Sequence, residues 1–175
     1  MVTAISKITV ETGFPPIADK NAQILILGSM PSVKSLQQQQ YYAHPRNAFW
    51  PIMSALLGMD KEWGYQQRCD HLRKNHIAVW DALKVCQRQG SLDSNIETSS
   101  MIANDFNAFF QQHPKIGQIL FNGGKAEQVF KQYVIPNLDK QFRHITQMRL
   151  PSTSPAHAAM TLEQKLHSWR LIKPS

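Results

Sequence analysis

Cysteine is nearly missing from this chain of 175 residues: Cys69 and Cys86 are the only two. They are too few for a cysteine-built iron–sulfur cluster or a four-cysteine zinc site, and they read as small buried thiols. Long apolar runs are missing too. No stretch approaches the roughly 18 apolar residues of a membrane span. The N-terminal MVTAISKITVETGFPP has neither the charged start nor the long apolar middle of a secretory signal. A soluble, cytoplasmic protein with no membrane partner is therefore expected. Acidic residues are scarce, 12 Asp and Glu against 19 Lys and Arg, which leaves a net charge of +7. Such an excess favours a polyanionic partner, because each phosphate neutralised releases counterions; a solvated basic surface accounts for the charge equally well. Dense basic runs are absent, so a binding face has to be assembled by folding. There is no internal repeat, and Gln37 to Gln40 read as a polar loop or helix start.

What is present reads as one domain over residues 1–175, with residues 1–20 as a mobile N-terminal extension and enough apolar residues, 42%, for a real core. Strand patterns occupy Gln23 to Leu27, His76 to Trp80, Gly117 to Phe121 and Arg143 to Met148, each ending in a polar or glycine-bearing segment. Helical spacing joins Ile102, Phe106, Phe109 and Phe110, then Ala126, Val129, Phe130 and Tyr133, then Leu162, Leu166 and Trp169. The alternation predicts an α/β fold, a three-layer α/β/α arrangement around a central, mainly parallel four-stranded sheet. Loops that follow parallel strands share one sheet edge. Gly28 to Ser32, Asp81 to Cys86, Asn122 to Lys125 and Leu150 to His157 are thus expected to form one crevice.

Two of these loops are rich in small hydroxyls, prolines and backbone amides: GSMPS (Gly28, Ser29, Met30, Pro31, Ser32) and LPSTSPAHA, from Leu150 to Ala158 plus Ala159. Loops of this make-up can hold phosphates through N–H and O–H donors. With YYAHPRNAFWPIM (Tyr41 to Met53) and LFNGGKA (Leu120 to Ala126), they resemble the uracil-DNA glycosylase superfamily, and in detail its hypoxanthine-DNA glycosylase branch, over about Ile24 to Leu171. The resemblance implies hydrolytic excision of a deaminated base from DNA by a monomer that needs no metal and no cofactor.

The resemblance places Gly28, Ser29 and Met30 around the base. Met30 stands where other branches carry a catalytic Asn or Asp, and a thioether cannot activate water. Catalysis then passes to Asn47, which can equally be the N-cap of a helix running to Leu57. Asp81 is the best-placed carboxylate if a base is needed, or a cap for the next segment, and His157 is placed to donate to a phosphate or to the leaving base. Asn122 offers an amide that could read a carbonyl beside a ring N–H, the edge that deamination creates, or it is a turn Asn before Gly123-Gly124. Phe49 is the family-matched platform for stacking an extruded base, with Tyr42 in support; Tyr41, Trp50 and Trp80 read as core or wall. On the DNA side the resemblance implies Pro31, Ser32 and Lys125, together with Pro151, Ser152, Thr153, Ser154 and Pro155. Two other readings stay open: a nucleic-acid-binding domain without chemistry, and an ester hydrolase using Ser152 or Ser154 with His157, which lacks the G-x-S-x-G elbow.

Overall fold

In the structure, a computed structural model that describes residues 8–172, the four strand patterns become parallel strands, three of them largely buried apolar runs. They are β2 (Ile24–Gly28), β3 (Ile77–Asp81), β6 (Gln118–Asn122) and β7 (Thr146–Leu150), in the order β3-β2-β6-β7, with Leu25 opposite Ala78 and Ile119. Successive side chains on a strand point to opposite faces, so the sheet feeds two cores. Leu25, Leu27, Ile119 and Phe121 pack against α4 (Phe106–Gln112) and α5 (Gly124–Val129). Ile26, Val79 and Leu120 pack with side chains of α2 (Phe49–Leu57), α3 (Tyr65–Lys74) and α6 (Leu162–Trp169) on the other face. The expected three layers and parallel sheet are present, each strand displaced by about one to three residues at its start. The edge strand β7 leaves Thr146 to Arg149 exposed, with a charge and polar side chains that suit an unpaired edge.

A second sheet was not foreseen. It is antiparallel, in the order β1-β4-β5, from Thr9–Thr12, Leu83–Arg88 and Ile102–Ala103. Its strands correct three expectations. The N-terminal extension is anchored from β1 onward: Thr9 pairs with Arg88, the Glu11 carboxylate meets the Arg88 guanidinium at 2.5 Å, and Ile17 is buried against Val79; residues 1–7 lie outside the described residues. Asp81 to Cys86 is not a loop, because the chain passes from β3 to β4 through Ala82 alone. Ile102 is a strand residue, since Asp105, which accepts from Ala108 N–H at 3.0 Å, caps α4 only at that point. Both cysteines are buried thiols, as expected. The short helix α1 (Val33–Gln38) begins at Ser32, whose hydroxyl accepts from Ser35 N–H at 3.2 Å.

Candidate active site

A cavity of about 660 Å³ opens at the carboxyl ends of the parallel strands, within the roughly 300–1,000 Å³ usual for a small-molecule pocket. Gly28 to Ser32, Asp81, Asn122 and Ser152 to His157 line it, as the strand order requires, and Tyr42 and Asn47 join them from the segment before α2. Lys125, Pro151 and Phe49 do not line it.

Each signature loop is pinned from behind. In the first, Ser29 Oγ donates to Asp93 Oδ1 at 2.6 Å, Val33 N–H donates to Ser91 Oγ at 2.9 Å, and the Pro31 carbonyl accepts from the buried guanidinium of Arg88. Pro31 and Ser32 therefore spend a carbonyl and a cap on shaping the loop. In the second, Asn122 Nδ2 donates to Thr153 Oγ1 and Asn122 Oδ1 accepts from Thr153 N–H, both at 2.9 Å. Asn122 thus gives one amide hydrogen and one Oδ1 lone pair to Thr153, and its side chain lines the cavity. Thr153, 1% exposed, is a clamp and not a phosphate grip. Gly123 (φ +93°) lets the loop close, because a β-carbon there would stand 2.9 Å from Ser152 Cβ. Trp169 Nε1 donates to the Pro151 carbonyl at 3.0 Å and fixes the loop's start.

Asn47, expected to be the N-cap of α2, stands one residue before it, the cap being Ala48. Its Oδ1 accepts from Phe49 N–H at 2.9 Å, fixing the first turn of α2, and its side chain lines the cavity. The bond to Phe49 commits neither the NH2 end nor the second Oδ1 lone pair. The platform assignment for Phe49 is corrected. Phe49 is fully buried, and the Tyr42 ring stacks on its face at 4.1 Å, while Trp50 and Trp169 take its edges. Tyr42 is thus the aromatic wall. It is held at φ +55°, an uncommon backbone for a bulky residue, by Tyr41, whose N–H donates to Tyr65 Oη and whose carbonyl accepts from Trp50 Nε1.

Two carboxyls face this space in different surroundings. Asp81 is 5% exposed, and its Oδ2 is buried without a hydrogen-bond partner among the described residues. Burial and then the neighbouring Asp93 push its pKa up to about 7, against a smaller opposing pull from Arg88. The Tyr42 hydroxyl is also buried, with no well-formed hydrogen bond among the described residues; burial and then Asp81 raise its pKa, and the neighbouring Asn122 side chain pulls it back. Asp93 was not singled out in the sequence. It sits in the loop after β4, and burial raises its pKa too, but the Ser29 hydroxyl, Arg88 and Lys125 all pull it back. His44 and Arg46 also line the cavity unforeseen, Arg46 N–H donating to His44 Nδ1 at 3.1 Å. The only available signal for these three was their place inside HPRNAFW, which holds His44 and Arg46, or inside the turn-rich SLDSN, which holds Asp93.

His157 lines the cavity mouth, its backbone N–H bonded to the Ser154 carbonyl at 3.0 Å. The hydroxyls of Ser152 and Ser154 accept from the N–H groups of Ser154 and Ala156, each at 3.2 Å. Among the described residues no hydrogen bond joins the His157 ring to either serine, so the ester-hydrolase arrangement is not assembled.

A model of the uracil DNA glycosylase superfamily matches residues 15–173. Over 118 residues the chain is 40% identical to a hypoxanthine DNA glycosylase of Methanosarcina acetivorans, an overlap of 67% of this chain and 73% of that protein. Over 115 residues it is 39% identical to a hypoxanthine DNA glycosylase of Methanosarcina barkeri, covering 65% and 72%. The solution NMR structure of a Methanosarcina acetivorans protein, provisionally described as a uracil DNA glycosylase, superposes with a TM-score of 0.74 at 33% identity, covering 95% of this chain and 100% of that one.

Proposed function

The chain belongs to the uracil DNA glycosylase superfamily and is a DNA repair glycosylase; from that premise we propose that the base it releases is hypoxanthine, with uracil and xanthine as further substrates to compare. The observation that carries this reading is the convergence of both signature loops and Asn47 on one cavity. A base inside a duplex cannot reach such a cavity, so the nucleotide turns out of the stack first. Tyr42 then stands as its wall.

Hydrolysis forms a bond from a water oxygen to the anomeric carbon as the bond from that carbon to the base nitrogen breaks; the bonding pair leaves with the base, which takes up the proton that the water loses. The sugar passes through a positively charged state. Asn47 accepts a hydrogen from the water at its second Oδ1 lone pair, with the Phe49 N–H bond holding the amide still. An amide is a poor proton acceptor, so the rate comes from placement and from electrostatics. Asp93, tethered by Ser29 and near Arg88 and Lys125, is the carboxyl we place beside the cationic sugar. Ser152, Ser154 and Pro155 rim the cavity where the DNA backbone passes, with Pro151 setting the loop's start, and Lys125 supplies a cation near Asp93. Arg149 is exposed but paired with Glu127 at 3.1 Å. We read the protein as a cytoplasmic monomer; no helix among the described residues is long and apolar enough to cross a membrane.

Single-turnover excision from a duplex with one hypoxanthine tests this reading. Asn47→Ala is expected to lower the rate by about 10²-fold or more with little change in DNA affinity; near-normal excision by the folded variant removes Asn47 from the chemistry. DNA affinity is expected to fall linearly with salt on a log scale, and Lys125→Ala to reduce the slope by about one unit. Affinity that ignores salt rules out the backbone contacts.

A further inference from the structure

The polar groups described so far account for water and sugar, while Asn122, the expected reader of the base, shares its amide with Thr153. What the cavity leaves over is a pair of buried polar atoms, Asp81 Oδ2 and the Tyr42 hydroxyl, neither in a well-formed hydrogen bond among the described residues. A β-carbon on Gly28 would collide with Asp81 Oδ1 and stand 3.3 Å from the Tyr42 hydroxyl, so glycine is what leaves room for both groups at one place. An orphaned buried polar atom costs about 1–3 kcal/mol in a native fold, and it persists where something else supplies the missing partner. Here that something is the occupant of the cavity.

We propose, resting on the glycosylase reading, that Asp81 acts on the extruded base as a neutral acid: its O–H donates to the base's carbonyl oxygen, and its other oxygen accepts the adjacent ring N–H. As the bond to the sugar breaks, its electron pair flows into the ring and negative charge gathers on that carbonyl oxygen. A donor already in place there strengthens as the charge grows, which lowers the barrier and not merely the ground state. Adenine has no such oxygen, so the contact favours hypoxanthine over its undeaminated parent at the transition state.

The surroundings keep Asp81 protonated. Its own strand β3 gives it no counter-charge; Asp93 on the loop after β4 repels a second negative charge, and Tyr41 and Tyr42 on the segment before α2 offer it no cation. Arg88 on β4 is the one opposing cation, and Glu11 on β1 and the Pro31 carbonyl already hold it. An ionised Asp81 would be a buried anion with an unpaired oxygen, the costlier state. The assignment reverses the sequence expectation of a general base at this position.

Asp81→Asn separates the two roles, because an amide keeps a donor beside an acceptor but cannot take a proton from water. As a donor, the variant is expected to excise hypoxanthine within about tenfold of wild type at pH 6, and to lose the decline that wild type shows as pH rises through about 7. Asp81→Ala is expected to lose about 10²-fold or more. The loss should be much smaller for a duplex carrying unsubstituted purine, which has no carbonyl, so the hypoxanthine-to-purine rate ratio should collapse. An inactive Asp81→Asn in an otherwise active enzyme overturns the donor role in favour of a base. An unchanged hypoxanthine-to-purine ratio in Asp81→Ala, or an alkaline decline that survives in Asp81→Asn, overturns it in favour of a structural residue. Wild-type protein that releases no hypoxanthine at any pH instead overturns the glycosylase reading on which the proposal stands.

Discussion

Asp81 and Asp93 share a cavity and a residue type, yet the fold treats them in different ways. Asp81 ends a central strand, so its carboxyl meets apolar sheet neighbours, a buried tyrosine hydroxyl and one opposing guanidinium that other groups already hold. Asp93 arrives on a loop from the antiparallel sheet, where a serine hydroxyl and two cations reach it. Burial pushes both toward the neutral form, and only on the loop from the antiparallel sheet does a hydroxyl join the cations that pull back. Pairs of titratable groups whose environments push them apart are how one cavity presents an acid and an anion at the same pH.

Removing the second carboxyl breaks the contrast most severely. Asp93→Asn is expected to slow excision by about 10²-fold through lost stabilisation of the cationic sugar. Because Asp93 raises the pKa of Asp81, the alkaline decline of the residual activity should also move to lower pH. A pH profile of single-turnover rates shows both effects, and an unmoved decline would mean that the two carboxyls do not sense one another. A milder change is Ser29→Ala, which removes the 2.6 Å bond that favours ionised Asp93. Loss of one hydrogen bond to a charged group is expected to cost about tenfold or less in rate. The acid side of the profile should shift upward, since Asp93 then protonates more readily.

The smallest effect is on stability and concerns Asp81 alone. Its pKa is about 7 in the fold against an ordinary 3.8, so between those values the folded state binds more protons than the unfolded one. Stability contributed by this group is therefore present at acid pH and lost as pH rises through about 7. Asp81→Asn removes that loss, and its melting temperature relative to wild type is expected to be higher by about 3 °C or more at pH 8 than at pH 5. Thermal unfolding at the two pH values checks it, and equal differences would show that Asp81 ionises without hindrance.

Much of the scaffold was legible because buried parallel strands are continuous apolar runs, as Gln23 to Leu27 and Gly117 to Phe121 are. The loops that follow such strands had to meet at one edge, which is why Gly28, Met30, Asp81, Asn122 and Ser152 could be placed together. The antiparallel sheet was not legible: TVET and Ile102-Ala103 are short, and their strand character comes from pairing with Leu83–Arg88. Asp93 was lost with that sheet, since nothing local marks a loop residue that tertiary structure returns to the cavity. Phe49 failed for another reason. Its type suited the assigned role, but a ring stacked by Tyr42 is decided by contacts from other segments.

The clamp on Thr153 reaches further than the loop it holds. Thr153 takes both ends of Asn122 with its own N–H and hydroxyl, and its carbonyl accepts from Ala48 N–H at 2.9 Å, one residue from Asn47. Strand β6, the loop that meets the DNA backbone and the start of α2 are thereby riveted into one bracket. On the proposed function, a pull on that loop by a seated phosphate would be carried to Asn47, tying the grip on DNA to the placement of the water.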